Sequence, residues 1–231
     1  MYSNKSIIDL VVLTLLSLLL LFVANLLMGF TLVLMVHSLV FTVLFFALLY
    51  GFYDINERWL GKIRAVQTNV EKKENTDKNA LMIKPFKVND IMPTIIAIIF
   101  LFTTNIVLNQ FITIIDIPKP DHKFEANLPI GVLFILAFLV APITEEITFR
   151  GFINQCFKSN PHTSTFWTYA IPSFLFAMMH FQYPIVIRLY HFAMGLALVK
   201  LRVTTNSLTP PIVVHAALNA FAIIMIKSQG G

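Results

Sequence analysis

Charge is scarce in this chain. Asp, Glu, Lys and Arg make up 13% of its 231 residues, about half the share usual in soluble domains. No polar stretch is long enough to build a water-soluble catalytic domain. Cysteine is nearly absent, and the single Cys156 excludes an intramolecular disulfide. Ten-residue segments of alternating apolar and polar residues are missing, which argues against a membrane β-barrel. The base-stacking and basic-groove signs of a nucleic-acid partner are missing too, so the net charge of +5 needs another explanation. There is no internal repeat. A cleavable signal peptide is not expected: the first apolar run is too long for one, and no small-residue cleavage pattern follows it.

What the chain has in excess is hydrocarbon. Apolar residues account for 57% of it, and the mean hydropathy is +0.77. A run of about 18 apolar residues crosses a bilayer core of about 30 Å as a helix. Seven apolar segments can be read, over 7–28, 31–53, 91–115, 128–148, 165–181, 184–200 and 208–226. Lipid admits only helices or closed barrels, so the expected fold is an all-α, polytopic transmembrane bundle of about seven helices. The expected partition is an N-terminal hairpin over 1–53, a basic loop over 54–90 and a helical core over 91–231. The loop carries Arg58, Lys62, Arg64, Lys72, Lys73, Lys78, Lys84 and Lys87, which the positive-inside rule assigns to the cytoplasm. Alternation then puts 151–164 and 201–207 on the same side, with 116–127 and 182–183 opposite. Residues 67–80 read as a solvated linker. The expected location is a cell membrane, with lipid as the constant partner.

Ionisable side chains inside lipid cost about 2.5 to 3.5 kcal/mol each on insertion scales, so they are where function is sought. One cluster stands out, Ala-Pro-Ile-Thr-Glu-Glu-Ile-Thr-Phe-Arg-Gly over 141–151. Glu146 and Arg150 stand one helical turn apart and can pair. The plain reading is that they only cap a helix at the interface. Glu145 points about 100° away from Glu146, so the same arginine is not expected to serve both. It needs another partner and is a candidate general base. Later helices offer partners: Phe176-x-x-x-His180 and His215-x-x-x-Asn219 each place two residues on one face. His191 reads as an ordinary carbonyl-bonded histidine. His37, His122 and His162 lie in the first hairpin or in loops.

Depth gives a partial test. The midpoint of 145 and 180 falls in the turn signal Asn160-Pro161-His162-Thr163. Glu145 and His180 are therefore expected level with each other across a hairpin. His215 sits only about 10 Å into its helix, so helices must tilt or break to bring it in. Pro142, Pro172, Pro184 and the Pro210-Pro211 pair are places for that.

The three blocks Glu145-Glu146-x-x-x-Arg150, Phe176-x-x-x-His180 and His215-x-x-x-Asn219, in this order, resemble the CAAX protease and bacteriocin-processing family. That family includes the type II CAAX prenyl endopeptidases and the bacterial Abi proteins. The resemblance covers roughly 128–225, and Gly151, Gly195 and Ser207-Leu208 also look like the family. It implies an intramembrane endopeptidase acting on a membrane-associated peptide or a membrane-anchored protein. By the same resemblance Glu145 and His180 activate water, His215 and Asn219 bind the developing oxyanion or complete the polar site, and Glu146, Arg150 and Phe176 support it. A glutamate mechanism and a divalent metal such as zinc, held by Glu145, His180 and His215, are both open, although Asn would be an unusual further zinc ligand. The compact chain reads as bacterial. A bacteriocin self-immunity or binding protein without proteolysis is the alternative. A proton-conducting transporter and a lipid-binding scaffold fit less well: the charges cluster in one half, and the basic loop is largely offset by its own acids.

Overall fold

The computed structural model describes residues 4–35, 44, 47–59, 81–118, 128–159 and 163–229. The linker over 67–80, five of the eight basic loop residues (Lys62, Arg64, Lys72, Lys73, Lys78), His37, His122 and the Asn160–His162 part of the turn lie outside them. The described residues form seven helices and no strand, as the apolar runs predict. Helix α1 spans Asn4–Met35, α2 spans 47–59, α3 spans Val88–Ile114, and α4 runs from Ile130 to Ser159. Helices α5 (Thr165–Met178), α6 (Ile185–Thr205) and α7 (Thr209–Gln229) complete the chain.

Four of these are long and apolar enough to cross a membrane: α1, α3, α4 and α7. Their outer faces present hydrocarbon. Leu15, Leu19, Phe22 and Leu26 of α1 and Ile96, Ile99 and Phe100 of α3 are all exposed. Such a surface belongs in lipid. The sequence suggested seven spans; much of the second, 31–53, lies outside the described residues, and two of the later ones differ. Helix α5 has 14 residues, about 21 Å, too short to cross alone. Helix α6 carries Arg188, Lys200 and Arg202 and is the least apolar of the long helices. The expected break near residue 30 is also absent, because α1 continues unbroken to Met35.

Helix α4 is the irregular one. It alternates α-turns with two wider π-helical stretches, Ile135–Val140 and Ile147–Ile153, on either side of Ala141–Glu146. At the end of each stretch the bonds run i to i−5, from Ala141 N–H to the Leu136 carbonyl and from Asn154 N–H to the Phe149 carbonyl. Pro142 has no N–H to give the carbonyl one turn back, and the first wide turn lies directly before it. The sequence pointed to Pro142 as a place where a helix would break its regularity, and it does.

Two close approaches hold the helices in register. A methyl on Gly195 of α6 would fall 2.8 Å from Ser173 Cβ of α5. A methyl on Gly151 of α4 would fall 2.8 Å from Leu81 Cδ2. Leu81 begins an extended strap, 81–87, at the end of the basic loop. Its N–H donates to Glu57 Oε2 of α2 at 2.8 Å. Farther along, the strap's carbonyls accept from the α6–α7 turn: Leu208 N–H donates to Met82 at 3.0 Å, and the Thr209 hydroxyl donates to Lys84 at 2.6 Å. The strap therefore ties α2, α4 and the start of α7 together.

Candidate active site

The site is built around the middle of α4. Glu146 and Arg150 are both fully buried, and Arg150 Nη1 donates to Glu146 Oε1 at 2.8 Å. The same oxygen accepts a second bond, from His215 Nδ1 of α7 at 2.9 Å. A carboxylate that receives a guanidinium and an imidazole is neutralised where it sits. Breaking such a buried pair costs about 3 to 5 kcal/mol, because it strands the remaining charge.

The second nitrogen of the same ring faces the neighbouring acid. His215 Nε2 lies 3.7 Å from Glu145 Oε2. That is beyond a hydrogen bond, and Glu145 Oε2 is buried with no hydrogen-bond partner. Since Glu146 can only accept, His215 Nδ1 carries a hydrogen, and in the neutral ring Nε2 is an acceptor. Two acceptors thus face each other, Glu145 Oε2 and His215 Nε2. A water about 2.8 Å from each would stand at the apex of a triangle and donate one hydrogen to each.

The other motif residues surround Phe176, which is fully buried. The Arg150 guanidinium carbon sits 4.4 Å above its ring centroid. A desolvated cation–π contact of this kind is worth about 2 kcal/mol. Phe149 and His215 meet the ring edge-on at 5.4 and 5.7 Å, and His180 lies 4.8 Å away. Phe176 is thus the common neighbour of residues from all three motifs. His180 does not bond to Glu145. Its Nδ1 donates to the Phe176 carbonyl at 2.9 Å, and its face lies against His191 at 4.0 Å. The imidazole at Glu145 is that of His215. Asn219, one turn beyond His215, donates from Nδ2 to the Ala137 carbonyl at 2.7 Å, inside the first π stretch. The His-x-x-x-Asn spacing therefore lets α7 grip α4 at two points, one on each side of Pro142.

The side chains named as candidate metal ligands, Glu145, His180 and His215, do not come together as one ligand set. Among the described residues no three His, Cys, Asp or Glu side chains converge as a metal would require.

Three contributors escaped the sequence reading. His191 keeps the carbonyl bond expected of it, to Ile187 at 2.8 Å, but it also stacks on His180. Tyr183 lies nearly parallel to His191 at 5.5 Å. The amide oxygen of Asn25 of α1 lies 3.3 Å from the Thr144 hydroxyl, beside the two glutamates. One signal for His191 was available. Gly195 stands one turn after it, and a small residue on a membrane helix marks a close neighbour.

Residues 127–221 match the model of the family described as "Type II CAAX prenyl endopeptidase Rce1-like". The match takes in all of α4, α5 and α6, and α7 as far as Phe221, and with them all three motifs. The resemblance seen in those motifs therefore holds, while α1, α2, the strap and α3 lie outside it. No curated protein and no solved structure matches the chain.

Proposed function

With residues 127–221 similar to the Rce1-like endopeptidases as the premise, we propose that this protein hydrolyses a peptide bond of a membrane-associated peptide or protein within the membrane. One observation carries the reading. Glu145 Oε2 is buried, has no hydrogen-bond partner, and stands 3.7 Å from a ring nitrogen whose opposite nitrogen is fixed by Glu146.

Water held between Glu145 and His215 gives up a proton as its oxygen attacks the scissile carbonyl. Glu145 takes that proton and returns it to the leaving amine. Glu146 orients His215, much as a buried acid orients the imidazole in a serine-protease triad. Arg150 donates to Glu146, and Phe176 holds the guanidinium in place. Asn219 and Ala137 fix the stretch of α4 from which both acids project. His180, across Phe176 from Arg150 and His215, is the remaining polar group for substrate or for the tetrahedral intermediate. No step runs through a metal.

The test is direct. The protein is purified in detergent and incubated with lipidated and unlipidated peptides, with and without EDTA, beside Glu145→Ala. Mass spectrometry should find hydrolysed peptide from the parent in both buffers and none from the variant. A parent that leaves every peptide intact, or a variant that cleaves like the parent, sinks the proposal.

A further inference from the structure

His191 belongs to none of the three motifs, yet it makes a close contact with one of their members. The ring centroids of His180 and His191 are 4.0 Å apart and the planes differ by 24°. Each Nδ1 donates to the carbonyl one turn back in its own helix, Phe176 at 2.9 Å and Ile187 at 2.8 Å. A carbonyl cannot donate, so both Nδ1 atoms carry hydrogen, and in the neutral rings both Nε2 atoms carry a lone pair. Helix α5 thus sets the tautomer of His180. One hydrogen bond leaves the ring free to rock about its side-chain bonds, because χ2 of histidine is a broad torsion. The flat face of His191 on one side and Phe176 at 4.8 Å limit that motion. Tyr183, nearly parallel to His191 at 5.5 Å, supports His191 in turn.

The stack depends on how closely α6 approaches α5. Gly195 follows His191 by one turn, and a Cβ there would be 2.8 Å from Ser173 Cβ and 2.9 Å from Ser173 Cα. Ser173 lies on α5 two turns before His180. The bare glycine lets the helices close, and the two imidazoles meet beyond it.

We propose that His191 is a positioning residue for His180, holding that imidazole in one orientation through ring stacking rather than through its nitrogens. The inference rests on the peptidase reading for its consequence in turnover, but not for the orientation itself. If it holds, any flat ring of similar size serves. His191→Ala and His191→Gln should lower kcat about tenfold with KM unchanged, the size expected for a misplaced catalytic group. His191→Phe should stay within about threefold of the parent. Packing alone would lower the melting temperature and yield of His191→Ala while leaving kcat per folded molecule intact, and that result overturns the proposal. So does a His191→Phe protein as slow as His191→Ala. A second readout needs no substrate. With 13C-labelled histidine, relaxation of the ring C–H groups of His180 should report a rigid ring in the parent and in His191→Phe, and a more mobile one in His191→Ala. Equal ring rigidity in His191→Ala and the parent refutes the positioning role even if no peptide is ever cleaved, whereas a parent without activity refutes only the peptidase reading.

Discussion

Helices α3 and α4 are alike in bulk and opposite in use. Their candidate spans are 27 and 29 residues long, both strongly apolar, and each contains a proline. Helix α3 keeps its threonines to itself, although its Leu101 carbonyl accepts from the Tyr190 hydroxyl of α6 at 3.3 Å. Thr94, Thr104 and Thr113 each donate to the carbonyl four residues back, on Asp90, Phe100 and Asn109. Helix α4 does this too, through Thr144 and Thr148, but its other polar groups are completed by neighbours. Glu146 is bonded by His215, the Ala137 carbonyl by Asn219, and Asn154 donates to the Thr168 carbonyl. Self-contained bonds survive any change in the surroundings. Shared bonds exist only in the assembled bundle. In a membrane helix it is the second kind that marks a site, because lipid offers polar groups nothing else.

That contrast can be broken by experiment, and the largest effect should come from the charges. Glu146→Ala or Arg150→Ala should cost about 3 to 5 kcal/mol, seen as a lower melting temperature and a poorer yield in detergent, together with lost cleavage. Normal yield would show that the pair is not structural. Glu145→Ala and His180→Ala sharpen the point: each should abolish cleavage yet leave the protein inserted and folded. Truncating an acid that has no hydrogen bond removes no support, so the melting temperature of Glu145→Ala should match or exceed the parent's. Full activity in either variant would remove that residue from the mechanism. A smaller loss, about 1 to 3 kcal/mol, is expected for Asn219→Ala, which leaves the Ala137 carbonyl without its donor. If its melting temperature is unchanged, the second grip of α7 on α4 is dispensable. The smallest effects belong to α3, where Thr104→Ala and Thr113→Ala should shift stability by no more than about 0.5 kcal/mol. A larger shift in either would mean that these threonines too take part in shared bonds.

Much of this was legible in the residues alone. Apolar runs located the helices because the bilayer imposes length and composition together. The i,i+4 spacing of Glu146 and Arg150 gave their ion pair, since both partners lie on one helix. The partner of Glu145 was harder. Equal depth along a hairpin pointed to His180, and the structure puts His215 there instead. Depth counts assume uniform helices, and two π stretches in α4 change both the rise and the facing of the residues between them. Position 191 gave no sign by itself, because a stack between two helices depends on a distance that only packing sets. The strap at 81–87 was hidden inside a segment whose charges read as loop. Its docking is carried by backbone carbonyls, which every sequence has.

The bridge made by His215 has a consequence of its own. Consecutive positions on a helix diverge, so no group with a single polar end could meet both Glu145 and Glu146. An imidazole can, because its two nitrogens point to different sides of one rigid ring. Scaffold and reagent are therefore assigned to different atoms of one side chain. An amide that reaches only as far as Nδ1 could keep the bundle closed and leave it inert, and one that reaches only as far as Nε2 would touch the water while loosening the fold. Few places in a protein let architecture and turnover be edited separately at a single codon.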